Sequence, residues 1–127
     1  MDNGVRLATV AEHHMGSGRR FDDVLYLSVG TRIAAGMILG GQPRRGAHNV
    51  AGDIGRVAFR GFNERTGQIR WRNGRTAKEV FALARQQDVH ARKELREFIN
   101  ELARGVATVV MAIDPAIVII GGGMSLA

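Results

Sequence analysis

The sequence predicts an α/β fold, and three observations carry that reading. In Val24 to Val29 both alternating sets of side chains are mostly apolar, which marks a strand covered on both faces. From about Ala91 to Ile113, apolar residues recur at spacings of three, four and seven, the pattern of one buried helix face. A short apolar run, Ala116 to Ile120, follows that helix and ends in Gly121-Gly122-Gly123. A strand reached through helices returns parallel to an earlier one, so it needs a sheet to join.

Taken in order, Asn3 to Met15 reads as a short helix. Val5, Ala8 and Glu12 fall on one side of it, and Leu7, Val10, Ala11 and Met15 on another. Gly16-Ser17-Gly18 stops it. The strand around Leu25, Leu27 and Val29 follows, then a turn at Gly30-Thr31, a second strand from Ile33 to Leu39, and a turn at Gly40-Gly41. This spacing predicts an antiparallel hairpin. Residues 42–56 have no period and read as a loop able to line a site. Val57 to Phe62 and Gln68 to Arg72 read as two further strands joined by NERTG. Thr76 with Glu79 matches a capping box and opens a helix to about Gln87. The long helix follows, its last two turns apolar nearly all round and therefore expected to be deeply packed. Asp114-Pro115 ends it, and Ala116 to Ile120 is expected to be fully buried. The chain stops four residues after the glycine turn, which suggests a segment of a larger α/β unit.

The composition fits one folded domain. The chain has 127 residues, 45% of them apolar, and no cysteine. Disulfides, thiolate zinc sites and cysteine nucleophiles are thereby excluded. The longest strongly apolar run is far short of a membrane span, and the N-terminus lacks a charged-then-apolar signal layout, so a cytoplasmic protein is the expectation. The net charge of +6 arises almost wholly from arginine. These arginines occur as singles or pairs and form no stripe, so a solvated surface explains them as well as a phosphate-binding patch does.

Several groups could carry chemistry. GTRIAAG, from Gly30 to Gly36, can present backbone N–H groups to a phosphate, or can be a plain hairpin turn. It is no Walker loop, because no Gly-Lys-Ser/Thr follows. Arg32 within it can add charge or block close approach. The glycines at 121–123 sit where open α/β sheets bind ligands, or make a simple flexible turn. His48, Asn49, Asp53 and Arg56 together can hydrogen-bond a polyol, and equally Asp53 can pair with Arg56 on a solvated loop. His13-His14 point to different sides of a helix and have no carboxylate one turn away, so no metal site is expected there. His90 reads as a cap or surface residue.

These segments together resemble the ROK family, which comprises bacterial sugar kinases and sugar-responsive repressors. The resemblance rests on MDNGVRLATVAEHHMGSG, on DDVLYLSVGTRIAAGMILGGQPRRGAHNVAGDIG and on DPAIVIIGGGMS, in that order and over nearly the whole chain. It implies an actin-like ATPase (ribonuclease H-like) fold, present here as an incomplete lobe that corresponds to the middle-to-late part of such a protein. It further implies that Gly30, Thr31 and Gly36 belong to a phosphate loop in which the family usually has Gly at position 32 and often at 34. Gly121, Gly122 and Gly123 would pack against adenosine. Asn3 matches a sugar-contacting Asn, and Gly4 stands where the family typically has the Asp that takes the sugar hydroxyl's proton. Asp53 and Arg56 stand at the places of a Glu and a His that contact sugar, with His48 beside them. The His also ligates zinc in many members, before a three-cysteine knuckle. Here Arg56 and FNERTGQIRWRNG take those places, so zinc is not expected.

The resulting expectation is a truncated sugar-responsive regulator with residual sugar binding and no kinase turnover. One alternative is an ATP-dependent sugar kinase, with ATP and magnesium expected only in that case. A third reading is an interaction module that dimerises through Val106 to Ile113. The expected partners are a small sugar and a second copy of the chain, with no membrane and no specific DNA contact by this segment.

Overall fold

The computed structural model describes residues 3–30, 32–48, 50–52, 54 and 69–123, of residue 3 the backbone only. Helix α1 (Asn3–Met15) leads into β1 (Val24–Val29), β2 (Ile33–Leu39) and the two-residue β3 (Gln42–Pro43). A 3-10 turn at Arg72–Gly74 precedes α2 (Ala77–Arg85), α3 (Val89–Ile113) and β4 (Ile117–Gly121). The sheet has the order β3-β2-β1-β4. β1 and β2 form the expected antiparallel hairpin, with Leu27 opposite Ala35, and β4 runs parallel to β1, with Ser28 opposite Gly121.

Strand alternation divides the sheet's two faces. Leu25, Leu27, Val29, Ile33 and Ala35 form one face, and Phe98, Leu102, Val106, Val109, Val110 and Ile113 of α3 pack on it at helical spacing. Val24, Tyr26, Gly36 and Ile38 form the other, which α1 covers with Val5 and Thr9. β1 is therefore covered on both faces, as its doubly apolar alternation predicts. Each fully buried Leu or Ile there contributes about 1.5–3 kcal/mol through removal from water.

Local signals set the helix ends. The Glu79 N–H donates to Thr76 Oγ1 (3.2 Å) and the Thr76 N–H donates to Glu79 Oε1 (3.3 Å), completing the capping box of α2. α3 begins at Val89, two residues before the expected start. Its cap is Asp88, whose Oδ1 accepts from the Ala91 N–H at 2.8 Å, so His90 is an exposed residue inside the first turn. Asp114 adopts φ 45° at the C-terminus, and Pro115 prevents continuation. The 3-10 turn is tied to α3: the Arg72 N–H donates to Glu94 Oε2 (3.0 Å), and Trp71 lies 5.0 Å from Phe98 between ring centres.

Four expectations change. The last turns of α3 bury one face only, and Met111 is 86% exposed, because a helix on one side of a sheet presents its other side to solvent. β4 is half-buried, with Ile120 55% exposed, since it is the sheet's edge among the described residues. The loop after β2 starts at Arg44, because Gln42 and Pro43 still pair with β2. Of the strand expected over Gln68 to Arg72, Gln68 lies outside the described residues, and Ile69 to Arg72 form a single bridge at Ile69 and then the start of the 3-10 turn, whose Asn73 takes φ 58°. The expected strand at Val57 to Phe62 lies outside the described residues. Among those described, no helix is long and apolar enough to cross a membrane.

Leu27→Ala should lower unfolding free energy by about 2–5 kcal/mol in urea titrations, as expected for a large-to-small change in a packed core. Met111→Ser should change it by less than about 0.5 kcal/mol, as surface substitutions do.

Candidate functional site

The parallel pairing of β1 and β4 brings both of their carboxyl ends to one edge of the sheet. The two glycine turns that follow them lie side by side. The Gly30 N–H donates to the Arg32 carbonyl at 3.0 Å and closes the first turn. A methyl group on Gly30 would meet nothing nearer than the Gly123 backbone nitrogen, at 4.0 Å. Gly122 rests directly on the end of β1. It has φ 91°, and a methyl group on it would come 2.6 Å from the Val29 carbonyl oxygen and 2.9 Å from the Val29 nitrogen. Only glycine meets both demands. A methyl group on Gly123 would have no neighbour within 4 Å. Gly121 is fixed from below, where the Tyr26 hydroxyl occupies the space of a Cβ and the Tyr26 Cζ lies 2.8 Å away.

Two further elements reach the same edge. Gly18, just after α1, lies against Val24 at the start of β1, and Thr9 lies against Gly36, the partner of Tyr26 in mid-sheet. The helix thus runs back along the strands. Its first turn, about 9 Å beyond Thr9 at 1.5 Å per residue, reaches the edge with the glycine turns. Asn3 and Gly4 therefore begin α1 on that side. The loop after β3 also returns there: the Ala51 N–H donates to the Arg45 carbonyl at 3.1 Å, and the Ala35 N–H donates to the Gly52 carbonyl at 2.8 Å. His48 is exposed within this loop, and Ile54 packs on the core.

Of the residues singled out in the sequence, Gly30, Gly122 and Gly123 share one rim, with Gly121 below it. Gly36 is elsewhere. It lies inside β2, buried beneath α1, so the turn proper ends at Arg32, which is exposed. Thr31, Asn49, Asp53 and Arg56 lie outside the described residues, as does the Asn3 side chain. Among the described residues no group of three His, Cys, Asp or Glu could hold a metal ion. His13 and His14 sit 5.2 Å apart between ring centres in the last turn of α1, at the opposite edge of the sheet. Two contacts are not evident in the sequence: the Tyr26 support under Gly121 at the rim and, away from it, the Thr9 contact on Gly36. An isolated glycine inside a strand does signal close backbone approach, so the second was partly legible.

An open backbone rim with an exposed arginine beside it lets a ligand approach the chain closely, because glycine puts no side chain in between. Comparisons with known proteins give the family and the fold. The ROK family pattern matches residues 1–68 and 57–127, and the chain belongs to the ROK family. It is 30% identical to a β-glucoside kinase of Listeria monocytogenes, over 98% of this chain and 50% of the kinase. The crystal structure of a ROK hexokinase from Thermus thermophilus superposes with a TM-score of 0.84 at 26% identity, over 98% of this chain and 50% of that one. A ROK family glucokinase from Streptomyces griseus, solved with glucose and AMPPNP, gives 0.74 at 24% identity, over 98% and 52%. The fold is the actin-like ATPase fold of these sugar kinases, and the chain spans about half the length of each.

Gly122→Ala should destabilise the protein by about 1–3 kcal/mol, the cost of a strained backbone and a forced contact. Gly123→Ala should leave the thermal midpoint within about 1 °C, as at a surface position. Thermal unfolding followed by circular dichroism checks both.

Proposed function

We propose that the chain is the nucleotide- and sugar-facing part of a ROK-family sugar kinase, in which Gly30 and Gly122-Gly123 receive the phosphates and adenosine of MgATP. The observation that supports it is that the two glycine turns lie side by side at the carboxyl ends of a parallel strand pair, where a methyl group on Gly30 would meet only the Gly123 nitrogen, at 4.0 Å. Thr31 would belong to the same phosphate turn. The first turn of α1, with Asn3, and the segment bearing His48, Asp53 and Arg56 would hold the sugar. The relatives described above are named as kinases, which favours this reading over a transcriptional regulator.

Phosphoryl transfer to a sugar hydroxyl makes an oxygen–phosphorus bond, breaks the bond to ADP and releases the hydroxyl proton. The resemblance places the proton acceptor at position 4, and Gly4 has no side chain to take it. A general base contributes roughly 10²–10⁴-fold. The chain therefore binds the substrates of a kinase and turns them over at or near background. Magnesium, when bound with ATP, would neutralise phosphate charge. Zinc has no expected place, as Arg56 stands at the ligand position.

Calorimetric titration with AMPPNP and magnesium, then with glucose, tests the binding claim. Saturable AMPPNP binding is expected, and Gly123→Val should weaken it about tenfold or more, with thermal stability unchanged. No AMPPNP binding would remove the kinase reading. Sugar-dependent ADP release at enzymatic rates would contradict the assignment of Gly4 to the base position.

A further inference from the structure

Gly36 and Thr9 are both locally unfavourable residues at the places they occupy. Glycine in a strand interior has no side chain to pack and weakens the strand. Threonine in a helix is β-branched and competes for backbone hydrogen bonds. The structure brings these two positions face to face. A methyl group on Gly36 would run into the Thr9 hydroxyl, and would lie 2.8 Å from Thr9 Cβ and 3.2 Å from Thr9 Cγ2. Thr9 is 2% exposed, and its hydroxyl donates to the Val5 carbonyl at 2.7 Å. The contact with β2 is therefore steric: a threonine seated in the notch that a missing Cβ leaves. Val5, one turn nearer the N-terminus, is also buried, so two successive turns fix the height and rotation of α1.

What those turns position is the start of the helix. Gly4 and Asn3 directly precede Val5. β2, which carries the notch, is also the strand that leaves the Gly30 turn, with Gly36 three residues after Ile33. Departures from local preference are expected at functional or strained sites. We infer that Thr9 and Gly36 are positioning residues, whose interlock registers the first turn of α1 against the phosphate turn and so sets the sugar side of the cleft relative to the nucleotide side. What each side binds rests on the function proposed above, whereas the interlock rests on the contact itself.

The absence of cysteine makes a clean distance measurement possible. Nitroxide labels at Leu7→Cys and Arg32→Cys, both exposed positions, report the separation of α1 from the turn by pulsed electron resonance. Gly36→Ala should shift or broaden that distance. Adding Thr9→Gly, which clears the hydroxyl, Cγ2 and Cβ, should restore it, whereas adding Thr9→Ala should not, because its Cβ still crowds the new methyl. In the unlabelled protein Gly36→Ala should weaken glucose binding about tenfold or more, as small misplacements of a site do. AMPPNP affinity should stay within about twofold, and Thr9→Gly should restore glucose binding. If Gly36→Ala does not fold, Thr9→Gly alone opens the notch without a clash and should broaden the distance. An unchanged distance in the folded variants, or glucose and AMPPNP binding falling together with the folded fraction, would overturn the interlock. A wild-type protein that binds AMPPNP and no glucose would instead sink the sugar assignment, with the label distances still deciding the interlock.

Discussion

The parallel pairing of β4 with β1 is the constraint on which the rest of the structure depends. Its register sets Ser28 opposite Gly121, so that the chain leaves both strands at the same height. Gly122 can then lie on the Val29 peptide and Gly123 beside Gly30. A shift of one residue would move Gly122 off that peptide and turn every β4 side chain to the opposite face. The Tyr26 hydroxyl beneath Gly121 opposes such a slip, since any larger residue at that place would collide with the ring.

That pairing is held by helices on the two faces of the sheet. α3 seats its apolar stripe on Leu25, Leu27 and Val29, and Val118 of β4 joins the same cluster. On the other face α1 is anchored by Val5 and by Thr9 over Gly36. Ion pairs add little by comparison. Arg72 approaches Glu94 and Glu97 at 3.8 and 3.7 Å, and its side chain is 67% exposed, where such pairs contribute about 0–1 kcal/mol. Packing against the sheet therefore sets the geometry of the rim.

Much of this was legible in the sequence, because its signals are local. Both apolar sets of β1 announced cover on two faces, and Thr76 with Glu79 announced the start of α2. The order of glycine turn, helices, apolar strand and glycine turn pointed to a parallel return, and the ROK resemblance to the actin-like fold. What stayed hidden depends on which face meets which element. The spacing in α1 separates its sides but cannot say that the Val5 side is buried and Leu7 is 71% exposed. The apolar end of α3 reads as deeply packed, yet half of it has no described neighbour. Gly36 reads as part of the turn, and only the placement of α1 shows that it serves packing. After Ile69 the left-handed backbone of Asn73 and the tie of Arg72 to Glu94 favour a tight turn over an extended strand.

The proposed function implies a division of labour along one sheet edge. The backbone of the glycine turns would meet phosphate and nucleotide, and side chains from α1 and the 44–56 segment would meet sugar, with Gly4 leaving the proton of the acceptor hydroxyl without a resident base. The most direct measurement of that account is a titration of the isotope-labelled chain with magnesium AMPPNP, following backbone amides by nuclear magnetic resonance. The account predicts that the amides of Gly30, Gly122 and Gly123 shift together along one binding curve, while those of His13 and His14 stay in place. Shifts that leave both glycine turns untouched, or that cluster around the far end of α1, would contradict it.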